Sequence, residues 1–230
     1  MRFTKLVSLW ALAAAPMVLA TPCTTGTLAS YIALGSTGCM DGIFNVEDFT
    51  FDVISTAIPI TADDITVAPS TTSDNFSLQF SSSLFDLSGT NSIDVQIGYL
   101  WDPADIGSIR EAMGDPPVFP GESSVTIDAC ENANFVANVC PTTLETALLF
   151  DNQQVRILNA TIIFPPGVTS LGMEDTVYLA GNGTGSADIT NFSDTVVTPE
   201  PATFVLVPVG VGVLFAWRRR THAHSGQALL

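Results

Sequence analysis

The chain has 230 residues, 47% of them hydrophobic and only 13% charged, with 23 acidic side chains against seven basic ones. Every acid falls between Thr21 and Pro201, where Arg110 and Arg156 are the only cations, so that segment alone carries a net charge of −21. With only those two arginines to neutralise phosphates, nucleic-acid binding is disfavoured, and the density of Phe, Val, Ile and Leu argues against a disordered chain.

In chain order, residues 1–20 come first. Arg2 and Lys5 precede an apolar run from Leu6 to Leu19, and Val18 and Ala20 are small residues at the spacing a signal peptidase accepts. The reading is a secretory signal peptide, with the mature chain starting near Thr21. Four cysteines follow: Cys23, Cys39, Cys130 and Cys140. An even number in an exported chain points to disulfides. Pairing Cys23 with Cys39 and Cys130 with Cys140 closes two short local loops and is the favoured connectivity. Metal binding by these thiols is disfavoured, since no C-x-x-C pair occurs and no histidine lies nearby.

Asp41-Gly42, Asn45 and Asp48 have the spacing of the second half of an EF-hand-like calcium loop. Thr37 and Cys39 stand where its first acids belong, so a turn feeding a strand at Phe49 is expected instead. Period-two alternation then recurs. It groups Phe49, Phe51 and Val53 on one face, Phe76, Leu78 and Phe80 on another, and Ile93, Val95, Ile97, Tyr99 and Trp101 on a third. Further β-rich runs are "SVTID", "QVRILNATIIF", "DTVYLAG" and "ADITNF". Asp63-Asp64 reads as a pair of solvated loop acids, and Glu174-Asp175 reads the same way. For Tyr99 and Trp101 the expectation is one core residue and one strand-end boundary, with an aromatic platform for a sugar ring as the alternative.

Helical signals are few. "WDPADIGSIREAMGD" predicts a turn or two of helix around Ile106 to Met113, and "TTLETALLF" fits a short helix or a strand. "GDPPVFPGESS" reads as a surface loop, and "GNGTGS" as a hairpin turn between strands around Val177 and Asp188. It has no lysine and no phosphate-loop context, and no G-x-S-x-G elbow occurs. The only histidines, His222 and His224, lie near the C-terminus, after three arginines. The segment before them therefore has no imidazole for Ser-His-Asp or Cys-His catalysis, or for a histidine-ligated metal.

The C-terminal part reads "TPEPATFVLVPVGVGVLFAWRRR" from Thr198 to Arg220. Ala202 to Trp217 holds no charged residue, and at about 1.5 Å per residue its sixteen residues span roughly 24 Å as a helix. This is short of the roughly 20 residues a span usually needs, and the arginines are positioned to stay cytoplasmic. Pro199-Glu200-Pro201, then the apolar run, then Arg218-Arg219-Arg220 resemble the PEP-CTERM sorting signal of exported bacterial proteins. That resemblance covers about the last tenth of the chain. It implies an exosortase as partner, cleavage near Pro199-Glu200-Pro201, and a setting in which exopolysaccharide is made. The tail "THAHSGQALL" departs from the pattern, in which chains usually stop soon after the arginines.

These readings predict an all-β chain, an antiparallel β-sandwich with a jelly roll among its forms. The expected organisation is a signal peptide (1–20), an exported β-domain (21–193), a linker with the sorting motif (194–201), a transmembrane helix (202–217) and a basic cytoplasmic tail (218–230). The expected function is that of a non-catalytic surface or matrix protein needing no cofactor or metal. It would be membrane-anchored as a precursor and then released to the cell surface, with extracellular polysaccharide as a candidate partner. A calcium- or carbohydrate-binding module is the alternative, and a hydrolase working through a carboxylate pair alone is a third.

Overall fold

The computed structural model describes residues 21–72, 75–102, 105–114, 121–152 and 154–198. The expected signal peptide, the expected sorting motif at Pro199-Glu200-Pro201, the apolar run and the arginine cluster lie outside the described residues.

The alternating runs form strands, and each strand buries its apolar register. In chain order the elements are β1 (Gly26–Thr27), the short helix α1 (Leu28–Ile32), β2 (Cys39–Asp41), β3 (Phe44–Thr56), β4 (Thr66–Thr71), β5 (Asn75–Ser81), β6 (Asp86–Ser88) and β7 (Ser92–Trp101). They continue with β8 (Ser108–Met113), β9 (Glu122–Glu131), β10 (Leu144–Asn152), β11 (Arg156–Ile157), β12 (Asn159–Ile163), β13 (Leu171–Ala180), β14 (Ser186–Asp188) and β15 (Phe192–Val197). One sheet has the order β1-β4-β5-β15-β8-β12 and a second has β11-β10-β9-β13-β7-β3-β2; β6 and β14 pair separately. All the ladders between these strands are antiparallel. Strands half-covered on one face need a second layer, and the two large sheets share one apolar core as a β-sandwich.

Aromatic rings centre that core. Tyr99 on β7 stacks on Phe49 at 5.3 Å, meets Phe80 at 5.8 Å, and is edge-on to Trp101 at 5.8 Å; Phe80 stacks on Phe192 at 5.0 Å. Both Tyr99 and Trp101 are thus core residues; Trp101 does end β7, but buried, and neither ring is a surface platform. Helix α1 was not foreseen. Thr27 caps it by accepting from the Ser30 N–H at 3.2 Å, and it buries Leu28 and Tyr31, the latter edge-on to Phe49 at 5.0 Å.

The structure corrects several expectations. Ile106 to Met113 is not helical: β8 alternates Ile109, Glu111 and Met113 inward and pairs with β15 and β12 on its two sides. A charge-bearing strand with Glu111 on its core face imitates a helical polar pattern. The ambiguous "TTLETALLF" contributes β10. On β3 the expected apolar face is interrupted by register shifts at Glu47/Thr50 and Val53/Ser55, with Asp48 in left-handed backbone (φ 53°). Phe49 is buried there, while Val53 is 43% exposed. The Gly181–Ser186 stretch joins β13 to β14, but β14 pairs with β6, so it is not a hairpin turn. Residues 194–197 belong to the folded domain and not to a linker, because β15 lies in the middle of its sheet between β5 and β8.

Candidate functional site

Both disulfides pair as spacing suggested. Cys23–Cys39 ties the segment before α1 to β2, and Cys130–Cys140 closes a loop at the end of β9. That loop lies back on the seven-stranded sheet. Gly172 N–H donates to the Ala133 carbonyl at 2.9 Å, and a Cβ at Gly172 would stand 2.6 Å from that same oxygen. Only a glycine permits this approach. Asn132 completes the seam: its backbone N–H donates to Ser170 O at 2.8 Å, and its side chain accepts from Thr169 N at 2.8 Å.

The docked loop and the outer face of the sheet enclose a recess of about 180 Å³. Asp48, Thr50 and Asp52 of β3, Gly98 of β7, Glu174 of β13, and Asn134, Phe135 and Asn138 of the loop line it. Asn138 Nδ2 donates to Gln96 Oε1 at 3.1 Å, and Gln96 Nε2 donates to Glu174 Oε2 at 3.2 Å. Burial, with Asp128 and Asp52 nearby, raises the Glu174 carboxyl above its ordinary value. The amides, hydroxyls and carboxylates of this lining suit a neutral polyhydroxy ligand and repel an anion.

A wider, shallower groove of about 540 Å³ runs past Asp64, Thr66, Ser81–Ser83, Asp86, Asp188 and Thr190. Asp64 serves locally: its carboxylate accepts from Thr61 N at 2.8 Å and from Thr61 Oγ1 at 2.7 Å, and these bonds lower its pKa. Asp63 and Asp64 sit in a single 3-10 turn, as loop acids. Asp188 faces Asp86 across the β6–β14 pair, and burial together with that neighbour raises its pKa. The calcium-loop residues do not converge. Asp41 accepts from Thr71 Oγ1, Asn45 donates to Glu47 at 2.9 Å, and Asp48 lines the recess. Among the described residues no group of three or more His, Cys, Asp or Glu is set to hold a metal ion.

The largest departure from the sequence reading lies inside. Glu111 on β8, Asp175 on β13 and Asp194 on β15 are each at most 1% exposed. Glu111 and Asp194 are directly paired across the six-stranded sheet, and Asp175 faces them from the other sheet. Tyr99 Oη donates to Asp194 Oδ2. Burial first, and then the Asp194 charge and hydrogen bond, push Glu111 and Asp175 well above the ordinary carboxylate range. Glu174-Asp175 is therefore not a pair of solvated loop acids: both are buried, on opposite faces of β13. Period two would have separated them, and the apolar alternation of Met173, Val177 and Leu179 was the signal that Asp175 points inward.

No family model matches this chain, and no curated protein does. Among solved structures, it is similar to a carbohydrate-binding module, TmCBM61, solved in complex with β-1,4-galactotriose. The two are 10% identical, the match covers 64% of this chain and 86% of that one, and the TM-score is 0.28. At that score the likeness supports no statement about fold or ligand.

Proposed function

We propose that this is an exported, non-catalytic protein of the cell surface or extracellular matrix, processed by an exosortase through its PEP-CTERM-like end and associated with exopolysaccharide. The ordered triplet of Pro199-Glu200-Pro201, apolar run and Arg218–Arg220 carries the reading. Two disulfides in the folded domain support it, because such bonds persist in oxidising compartments. The test is cell fractionation with intact mass for the wild type and for a P199A/E200A/P201A variant. The wild type is expected at the surface and shortened near the motif, while the variant stays full-length in the membrane fraction. Equal processing and location for both would sink the proposal.

The recess beneath the Cys130–Cys140 loop favours a second reading, in which the domain holds a neutral glycan on the outer face of its seven-stranded sheet. A glycan array compared between wild type and Gln96→Ala checks this, with hits expected only for the wild type. The hydrolase reading gains nothing from the buried acids, since Glu111, Asp175 and Asp194 are closed off from any substrate.

A further inference from the structure

We propose that Glu111 and Asp175 hold protons in the folded state, beside Asp194 and the Tyr99 hydroxyl, so that the two sheets are locked together in acid and loosen as those protons are withdrawn. The argument begins with hydrogen-bond supply. A carboxylate only accepts, and Tyr99 contributes one O–H, already committed to Asp194 Oδ2. Both Glu111 oxygens, both Asp175 oxygens and Asp194 Oδ1 are buried with no partner when the acids are drawn ionised. Five orphaned acceptors in one spot would be costly. Protons on Glu111 and Asp175 ease the difficulty, because each acid then offers a donor toward the Asp194 side chain and only one oxygen of each is left as an unpartnered acceptor.

Among the described residues the surroundings offer no neutralising charge. Inward neighbours on β5 are Phe76, Leu78 and Phe80, and on β9 Val125, Ile127 and Ala129. On β12, Ala160 and Ile162 share Glu111's side of the ladder, and on β10 Ala147 and Leu149 face the same interior. Arg110 is exposed on the other face of β8. Asp151, buried on β10, pairs with Arg156 at 3.1 Å in register with Ser123, four residues along β9 from Ile127, which pairs with Asp175. Asp128 adds a further repulsive charge to Asp175 from the outer face, and Glu145 is exposed at the end of β10.

The pH dependence follows from proton counting. Glu111 and Asp175 titrate from ordinary values of 4.5 and 3.8 in the unfolded chain and higher in the fold. The folded state then binds more protons above about pH 4, so stability is full below that point and falls as pH rises through the folded values. One linked proton changes stability tenfold in equilibrium constant per pH unit. Each pH unit over which one such proton stays linked lowers Tm by roughly 4 °C for a domain of this size. Asp94, Asp151, Glu174 and Asp188 are also raised by burial and add to the same trend, so the cluster is isolated by difference.

The experiment uses the full chain in a non-ionic detergent. Infrared spectra near neutral pH are expected to show a protonated-carboxyl C=O band in the wild type that weakens in Asp175→Asn and further in Glu111→Gln/Asp175→Asn. Thermal melts across the acid-to-alkaline range should show the wild-type slope cut at least in half by the double substitution. A wild type without the band overturns the proposal, and this arm requires no variant to fold. Equal slopes in wild type and variant also overturn it. So does a calcium-induced rise in Tm that the double variant lacks, which would put a cation where the protons are proposed.

Discussion

The inner and outer faces of the seven-stranded sheet both carry acids and handle them in different ways. Glu174 points outward, accepts from the Gln96 amide, and borders a recess open to solvent. Its neighbour Asp175 points inward, is fully buried and lies against Glu111, Asp194 and Tyr99. One peptide bond separates them, so the difference owes nothing to local composition. What decides each acid's state is the donor supply on its side: the Gln96 amide outside, a single phenol inside. A net charge of −21 over residues 21–201 is therefore an upper bound on the charge the folded domain displays.

The strongest way to break this comparison is to remove the central acceptor. Asp194→Ala leaves the Tyr99 hydroxyl and two carboxylic acids without their shared partner, and should cost about 3–5 kcal/mol in urea unfolding. A gain in stability would mean that the three acids are ionised and merely repel. Next in size, Cys130→Ser/Cys140→Ser opens the loop over the outer face. Its sequence separation of 10 gives a chain-entropy loss of about 3 kcal/mol, read from the shift in urea midpoint. The smallest effect belongs to Glu174→Gln. An amide there still accepts from Gln96, so stability should move by no more than about 0.5 kcal/mol, measured by the same unfolding curve. A large effect would show that the outer acid is also held by buried chemistry.

Much of the architecture was legible. Phe76, Leu78 and Phe80 and the five residues from Ile93 to Trp101 are buried as alternation indicated, because a sheet with one covered face imposes period two on its side chains. Both disulfides followed from spacing. The strand at Ser108–Met113 was hidden because Glu111 breaks its apolar face, and the same acid hid the buried cluster. Recognising that cluster needs three strands far apart in sequence to be placed in register, and no local window contains this information. The outer recess was hidden for a related reason: its lining joins β3, β7 and β13 to a disulfide loop.

Strand β15 has one more consequence, for the order in which the domain assembles. Its ladders reach Asn75–Ser81 on one side and Ser108–Met113 on the other. During synthesis or threading from the N-terminus, those two strands wait with bare edges until Val197 has emerged. Non-local pairing of this kind is slow and leaves sticky intermediates. The six-stranded sheet therefore cannot be completed until Val197, two residues before Pro199, is available to pair.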